Sequence, residues 1–362
     1  MKLTNDVINF TAGSADRQEG YRKFVEYFEA YKKGETSLNG VSFSEANDKM
    51  VDFYIEEIER MTGKKHNEFS DMAVFCGFTD VREAAFAVVN IMTDLVLPDS
   101  LIKDVGMYCD IKNGGWGDSL KIDLKPRDLF VVSKGGRAKR TFDIVRQYNG
   151  QKTLVPEPRV ISVGLPLYDV LTKKYSLAEF VMKAVRSLET QMRYDIYDAF
   201  SAAMEALGDS GDTALKVTGY AQDSAVALAQ KVQAWNGGKP AVFLGTKLAL
   251  SKILPASTNY RYMLGDEYVK LGHVRDFFGF NAMEMEQLAD WRTEFKTYLR
   301  DDRLYIVSPT ADKIVKVFTE GTTLTNNMNH YDSANLMANA DLVKSYGVGV
   351  ATSAIGGVIT LS

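Results

Sequence analysis

From Ser176 to about Leu207 the chain carries no Gly or Pro. Its apolar residues there are Leu177, Phe180, Val181, Ala184, Val185, Leu188, Met192, Ile196, Phe200, Met204 and Leu207. That i, i+3, i+4 rhythm gathers them on one face of an α-helix. Ser176 and Glu179 have the spacing of a capping box, and Gly208 stands where a left-handed stop is expected. A helix of this length spans about 48 Å, and a compact globule of the same chain would be only roughly 50 Å across. The pattern predicts a spine that crosses an elongated subunit, a shape that suits a building block better than an enzyme.

The flanking patterns predict a mixed chain. Tyr21, Phe24, Val25, Phe28 and Tyr31 line one face of a short helix ending near Gly34. A second amphipathic helix over about 44–61 carries Met50, Val51, Tyr54, Ile55 and Ile58. Both need a surface to pack on, in this subunit or a neighbour. A third helix, about 81–95, is expected to end before Pro98. From Met107 the period changes to two: Leu120, Ile122 and Leu124 alternate with Lys121, Asp123 and Lys125, as in a strand with one wet face. Leu129–Val132, a tip at Ser133–Arg137 and a return through Phe142, Ile144 and Val145 complete a long hairpin, closed by Pro156 and Pro158. A two-stranded ribbon of that kind is marginal in isolation. Further strands are expected at 160–165 (leading on through 168–171), 240–244, 304–307, 314–318, 348–351 and 358–361, with helices at 223–235 and 246–254. The class is α+β.

Composition narrows this picture little. The 362 residues could hold two domains or one discontinuous pair, and 46% hydrophobic with 25% charged residues is ordinary for a folded chain. No apolar run approaches the roughly 18 residues of a membrane span. Met1–Asp6 lacks the apolar stretch of a signal peptide, so a soluble chain made in a cytoplasm is expected. Cys76 and Cys109, the only cysteines, do not make a disulfide framework. A net charge of −4 argues against nucleic-acid binding as the main activity.

Candidate chemistry is sparse. His66, His273 and His330 are widely spaced and lie in no metal-binding motif. Asn236-Gly237-Gly238-Lys239-Pro240 has Gln233 where a phosphate loop needs Gly and Pro240 where it needs Ser or Thr, so it reads as a turn. Tyr346-Gly347-Val348-Gly349 lacks the third glycine of a dinucleotide fingerprint and reads as strand. Glu56-Glu57 and Asp301-Asp302 diverge as neighbours must, which suits surface charge. Lys134, Arg137, Lys139 and Arg140 cluster at the hairpin tip, either as a contact for an acidic neighbour or as solvated charge that blunts strand edges. No catalytic residue, cofactor or metal site is predicted.

The order of parts resembles the major capsid proteins of tailed bacteriophages, the Hong Kong 97-type fold shared with encapsulins. The resembling stretches are 159–171 with 176–207, then Leu304–Gly321 (LYIVSPTADKIVKVFTEG) and Lys344–Ala351 (KSYGVGVA). The resemblance implies an N-terminal arm over 1–75, a peripheral domain over 76–116 and 159–216 with spine helix 176–207, and an extended loop over 117–158. It further implies an axial domain over 217–300 and closing strands over 301–362, the last part free to return to the axial domain. It implies a structural shell protein that self-assembles as pentamers and hexamers around the double-stranded DNA of a tailed phage. Expected partners are further copies, a scaffolding protein, a portal and decoration proteins, with packaged DNA nearby and no membrane. The implied location is the virion capsid, assembled in the host cytoplasm. On the outward face of the spine, Arg186, Arg193 and Asp195 are expected to join the tip residues in intersubunit contacts. The alternatives are an encapsulin-type compartment, which should lack a long free N-terminal arm, and an enzyme with a site assembled from distant residues.

Overall fold

A computed structural model describes residues 15–32, 35, 37–38, 40–124, 149–209, 215–254, 268, 270–327 and 338–361. The chain opens with α1 (Ala15–Lys32), the short strands β1 (Ser37–Leu38) and β2 (Val41–Ser42), α2 (Phe43–Thr62), α3 (Met72–Gly77) and α4 (Thr79–Val105). Ser42 caps α2 by accepting the Glu45 N–H at 3.3 Å, and Gly63 ends it at φ +70° with its N–H on the Glu59 carbonyl. Met50, Val51, Tyr54, Ile55 and Ile58 are buried, as are Tyr21, Phe24, Val25 and Phe28 of α1. These residues belong to the main core of the subunit, together with α4 and the spine helix. The segment expected as an N-terminal arm therefore packs, over its two described helices, on its own chain. An ion pair fastens them: Arg17 meets Glu57 at 2.9 Å, and Glu57 is 3% exposed. Glu57 is thus no surface charge, because Arg17, Arg60 and the Tyr21 hydroxyl surround it.

Helix α4 does not stop before Pro98 but runs on to Val105. A proline inside a helix costs about 3 kcal/mol; burial of Val81, Ala85, Val88, Val89, Met92, Leu95, Val96 and Val105 along the same helix offsets it. After α4 come β3 (Cys109–Gly114), β4 (Leu120–Leu124), β5 (Gly150–Leu154), β6 (Glu157–Leu165) and the short helix α5 (Leu167–Leu171), where continued strand was expected. The spine α6 (Leu177–Asp209) has 33 residues, about 50 Å. Its N-terminus is capped as expected, with the Glu179 N–H on Ser176 Oγ at 3.3 Å. Its far end passes through Gly208 to Asp209 instead of stopping at the glycine. Every apolar position of the stripe from Leu177 to Met204 is buried.

The rest of the chain comprises β7 (Lys216–Thr218), α7 (Gln222–Trp235), β8 (Val242–Gly245), α8 (Lys247–Ser251), β9 (Asp276–Phe277), β10 (Phe280–Glu284), β11 (Ala289–Asp290) and β12 (Lys296–Thr297). The closing strands are β13 (Arg303–Val307), β14 (Val315–Asn327), β15 (Ala338–Val350) and β16 (Gly357–Thr360). They divide between two sheets. A four-stranded sheet has the order β3-β14-β15-β6, and a six-stranded mixed sheet has the order β7-β16-β13-β8-β10-β9. Arg303–Val307, expected with the closing strands of the peripheral domain, instead sits in the middle of the six-stranded sheet, hydrogen-bonded to β8 and β16.

Period-two alternation makes that sheet a wall between two cores. Val242, Leu244, Tyr305, Val307 and Val358 face the spine and the main core. Phe243, Leu304, Ile306 and Ile359 face a second core closed by α7 and α8. Phe200 of the spine packs between Tyr108, just before β3, and Tyr305 of β13, with its ring 4.7 Å from the first and 4.9 Å from the second.

Candidate functional site

The described surface offers a ribbon, a polar groove and an aromatic hairpin. In the ribbon, β4 and β5 pair from Leu120↔Leu154 to Leu124↔Gly150 and form a sheet of their own. Of these ten residues Leu154 alone is buried. The Lys152 ammonium reaches back to the Val350 carbonyl at 2.8 Å, tying the ribbon root to β15. Beside this root lies an open groove of about 260 Å³, lined by Val155, Glu157, Arg159, Asp195, Asp198 and Tyr346 among others. Asp195 accepts hydrogen bonds from Tyr346 Oη at 2.8 Å and Gln191 Nε2 at 2.8 Å, and Arg159 stands 3.5 Å away. Burial, and then the Asp195 bond, push the Tyr346 phenol far above its ordinary pKa, so it stays a neutral donor.

The expected contact residues therefore have different surroundings. Lys134, Arg137, Lys139 and Arg140 lie outside the described residues. Arg186 is exposed on the spine. Arg193 and Asp195, about two and two and a half turns further, are not free outward charges: Arg193 pairs with Glu189, itself buried, and Asp195 holds the groove network. The physical reason is coverage. The second half of the spine carries β15 and the strands after Glu284 on the side where the first half is open to water, so its polar positions find partners within the subunit.

One surface gives little signal in the sequence. The hairpin β11–β12 is stapled to the spine: the rings of Tyr194 and Tyr298 stack with centroids 4.0 Å apart, and Arg292 lies 5.2 Å over Tyr194. Tyr298 Oη donates to Asp198 at 2.7 Å, and Arg292 donates to Gln191 at 3.2 Å. From this anchored base Trp291 (81% exposed) and Phe295 (108% exposed) project into solvent, Phe295 at φ +53°. The readable trace is two aromatics among charges in a short WRTEF turn, which carries no helical or strand periodicity.

Burial pushes the thiols of Cys76 and Cys109 up to about 12, which keeps both protonated and unreactive. His66 Nδ1 lies 2.6 Å from Glu59, His273 is buried, and His330 lies outside the described residues. No cluster of three metal-ligating side chains occurs among the described residues. Nor, among them, is any helix long and apolar enough to cross a membrane. A pocket of about 50 Å³ by Tyr108 and Arg193, and the groove, both fall below the roughly 300–1,000 Å³ of small-molecule sites. Asn236 caps α7 and bonds both the N–H and the carbonyl of Ile355, with Gly237 and Gly238 at positive φ behind it, so 236–240 is a turn.

No protein-family model matches the chain, and no curated protein matches it. Solved structures that resemble it include phage capsids. The asymmetric unit of the bacteriophage PhiM1 mature capsid is 13% identical at a TM-score of 0.47, covering 70% of this chain and 86% of that one. The capsid of cyanophage P-SCSP1u is 12% identical at 0.46, with 72% and 88% covered. A native GTA particle capsid is 11% identical at 0.43, with 72% and 90% covered.

Proposed function

We propose that the chain is a structural protein, the major capsid protein of a tailed phage. In this reading it is a Hong Kong 97-type subunit that self-assembles as pentamers and hexamers into the icosahedral head around double-stranded DNA. The observation that carries the reading is a ribbon of two strands, with no third strand beside it among the described residues, standing off a sheet that lies along a spine of about 50 Å. Such a ribbon is marginal alone and is stabilised when a neighbour covers it. Rings of five and six need heterologous interfaces, in which different patches of one subunit meet. Lys134, Arg137, Lys139 and Arg140, basic residues of the sequence between the two ribbon strands, and Glu157 and Asp198 of the groove offer charges of opposite sign for such a contact. A net charge of −4 suits a wall around DNA, since a strongly basic wall would bind the genome indiscriminately. A scaffolding protein, a portal and decoration proteins are the partners this role calls for, and the host cytoplasm is the place of assembly.

An encapsulin-type compartment is the second reading. It gains support from the N-terminal helices, which pack into the main core instead of forming a free arm. Electron microscopy of the purified chain, with and without a scaffolding protein, tests both readings: rings, tubes or closed shells are expected. A monomer that persists under all conditions overturns them. The contents of shells from the native source separate the two, DNA marking the first and a cargo enzyme the second.

A further inference from the structure

The ribbon leaves the four-stranded sheet through Gly114-Gly115-Trp116-Gly117, and this turn is fastened to β14 at two points. The indole of Trp116 lies against Gly321 (φ +51°) so closely that a Cβ built there would come within 2.6 Å of Cε2. Beside it, one oxygen of the Glu320 carboxylate accepts the Gly117 N–H, and the other accepts the Ser345 hydroxyl at 2.6 Å. Asp118 closes the turn by accepting the Gly115 N–H at 2.8 Å.

The fastening point is the irregular part of β14, where the register with β15 shifts between Glu320 and Leu324. That irregularity is itself held. Asp94 of α4 accepts the Thr323 N–H at 2.7 Å and the Thr323 hydroxyl at 2.6 Å, and Lys344 bridges Asp94 at 2.9 Å to the Gly321 carbonyl at 3.0 Å. The returning strand crosses β15 over two more glycines. A Cβ on Gly347 would meet the Val155 carbonyl oxygen at 2.8 Å, and one on Gly349 would meet Leu154 Cδ1 at 2.8 Å. Both legs of the ribbon are thus seated where no side chain fits. Beyond the seat, its two strands have no third strand among the described residues.

We propose that Trp116, Gly321 and Glu320 form a clamp that sets the direction in which the ribbon leaves the subunit. Gly114, Gly115 and Gly117 (φ +85°) supply the soft torsions of the hinge. Trp116 is 46% exposed and belongs to neither core, so its removal leaves both intact. Ser345 in turn holds the Glu320 carboxylate in place. The clamp works within one chain, whether or not copies assemble. Where they do, it holds the ribbon near its docked direction in advance and lowers the ordering cost of the contact.

Double electron–electron resonance on the full chain tests it, with spin labels at K121C on the ribbon and R186C on the spine, both exposed. Cys76 and Cys109 are buried and stay unlabelled. Dilution into a large excess of unlabelled chain keeps the measured distance within one subunit. The parent should give one narrow distance distribution. W116A and E320Q should each broaden or shift it and speed amide exchange over 120–124 and 150–154 by about tenfold, with exchange in α6 unchanged. W235A, which removes an exposed indole elsewhere, should leave the distribution as in the parent. A parent-like distribution in folded W116A and E320Q overturns the proposal. Should W116A fail to fold, E320Q, which replaces one oxygen by NH₂, decides alone.

Discussion

Two antiparallel pairs in this molecule, β14–β15 and β4–β5, have similar credentials as strands and very different support. In β14–β15, Val315, Val317, Leu342 and Tyr346 are buried beneath α4 and α6, and β3 and β6 flank the pair on both sides. In β4–β5 the alternation of Leu120, Ile122 and Leu124 is at least as regular, yet these residues are only half-buried and neither flank is paired among the described residues. Period-two patterning therefore specifies a strand and says which face is apolar. It does not say whether anything covers that face. Cover comes from the helices packed on the sheet and, on the proposed function, from a neighbouring copy.

The contrast can be broken or sharpened by substitution, in descending order of expected effect. Lys344→Met should cost about 3–5 kcal/mol, because it leaves the Asp94 carboxylate, 13% exposed beneath β14–β15, with its Thr323 hydrogen bonds but without its counter-charge; urea unfolding measures it. Leu342→Ala, at a fully buried position of β15, should cost about 2–5 kcal/mol on the same scale. Ile122→Ala, the corresponding truncation in the ribbon, should cost below about 1 kcal/mol in the isolated chain. If Ile122→Ala proves as costly as Leu342→Ala, the ribbon has an intramolecular cover and the contrast fails.

Acid should loosen the ribbon root. The Ser345 hydroxyl, and then the Gly117 N–H, hold the Glu320 carboxyl below its ordinary pKa of 4.5. Its stabilisation is complete above that ordinary value and is lost as the pH falls through the lower, folded-state value. Amide protection of 120–124, compared between parent and Glu320→Gln, should show an acid-dependent difference that disappears at low pH.

Several elements were legible because their signals are local. The spine, α2 and α7 announce themselves by apolar stripes without breakers, and the strands at Val242, Leu304 and Val358 by short apolar runs. The positions whose surroundings the pattern does not give share a different cause. Pro98 is a strong local stop, overridden by burial along the rest of α4. Glu57 has a charged neighbour and looks solvated until Arg17, forty residues away, closes on it. Arg193 and Asp195 sit in the same pattern as Arg186, but the coverage of the second half of the spine is set by strands more than 90 residues later. Trp291 and Phe295 fall in a turn too short to have a period.

By itself the sequence determined the α+β class, the spine with its Ser176 cap and buried face, the alternating strands, and the order of parts on which the capsid resemblance rests. These follow from backbone geometry and the hydrophobic effect acting within some twenty residues. Tertiary structure decided which sheet each closing strand joins, which charges are buried, that the first helices belong to the main core, and that the ribbon root is seated on Gly321, Gly347 and Gly349. Those outcomes depend on contacts between residues 40 to 250 positions apart, where local periodicity carries no information and packing decides.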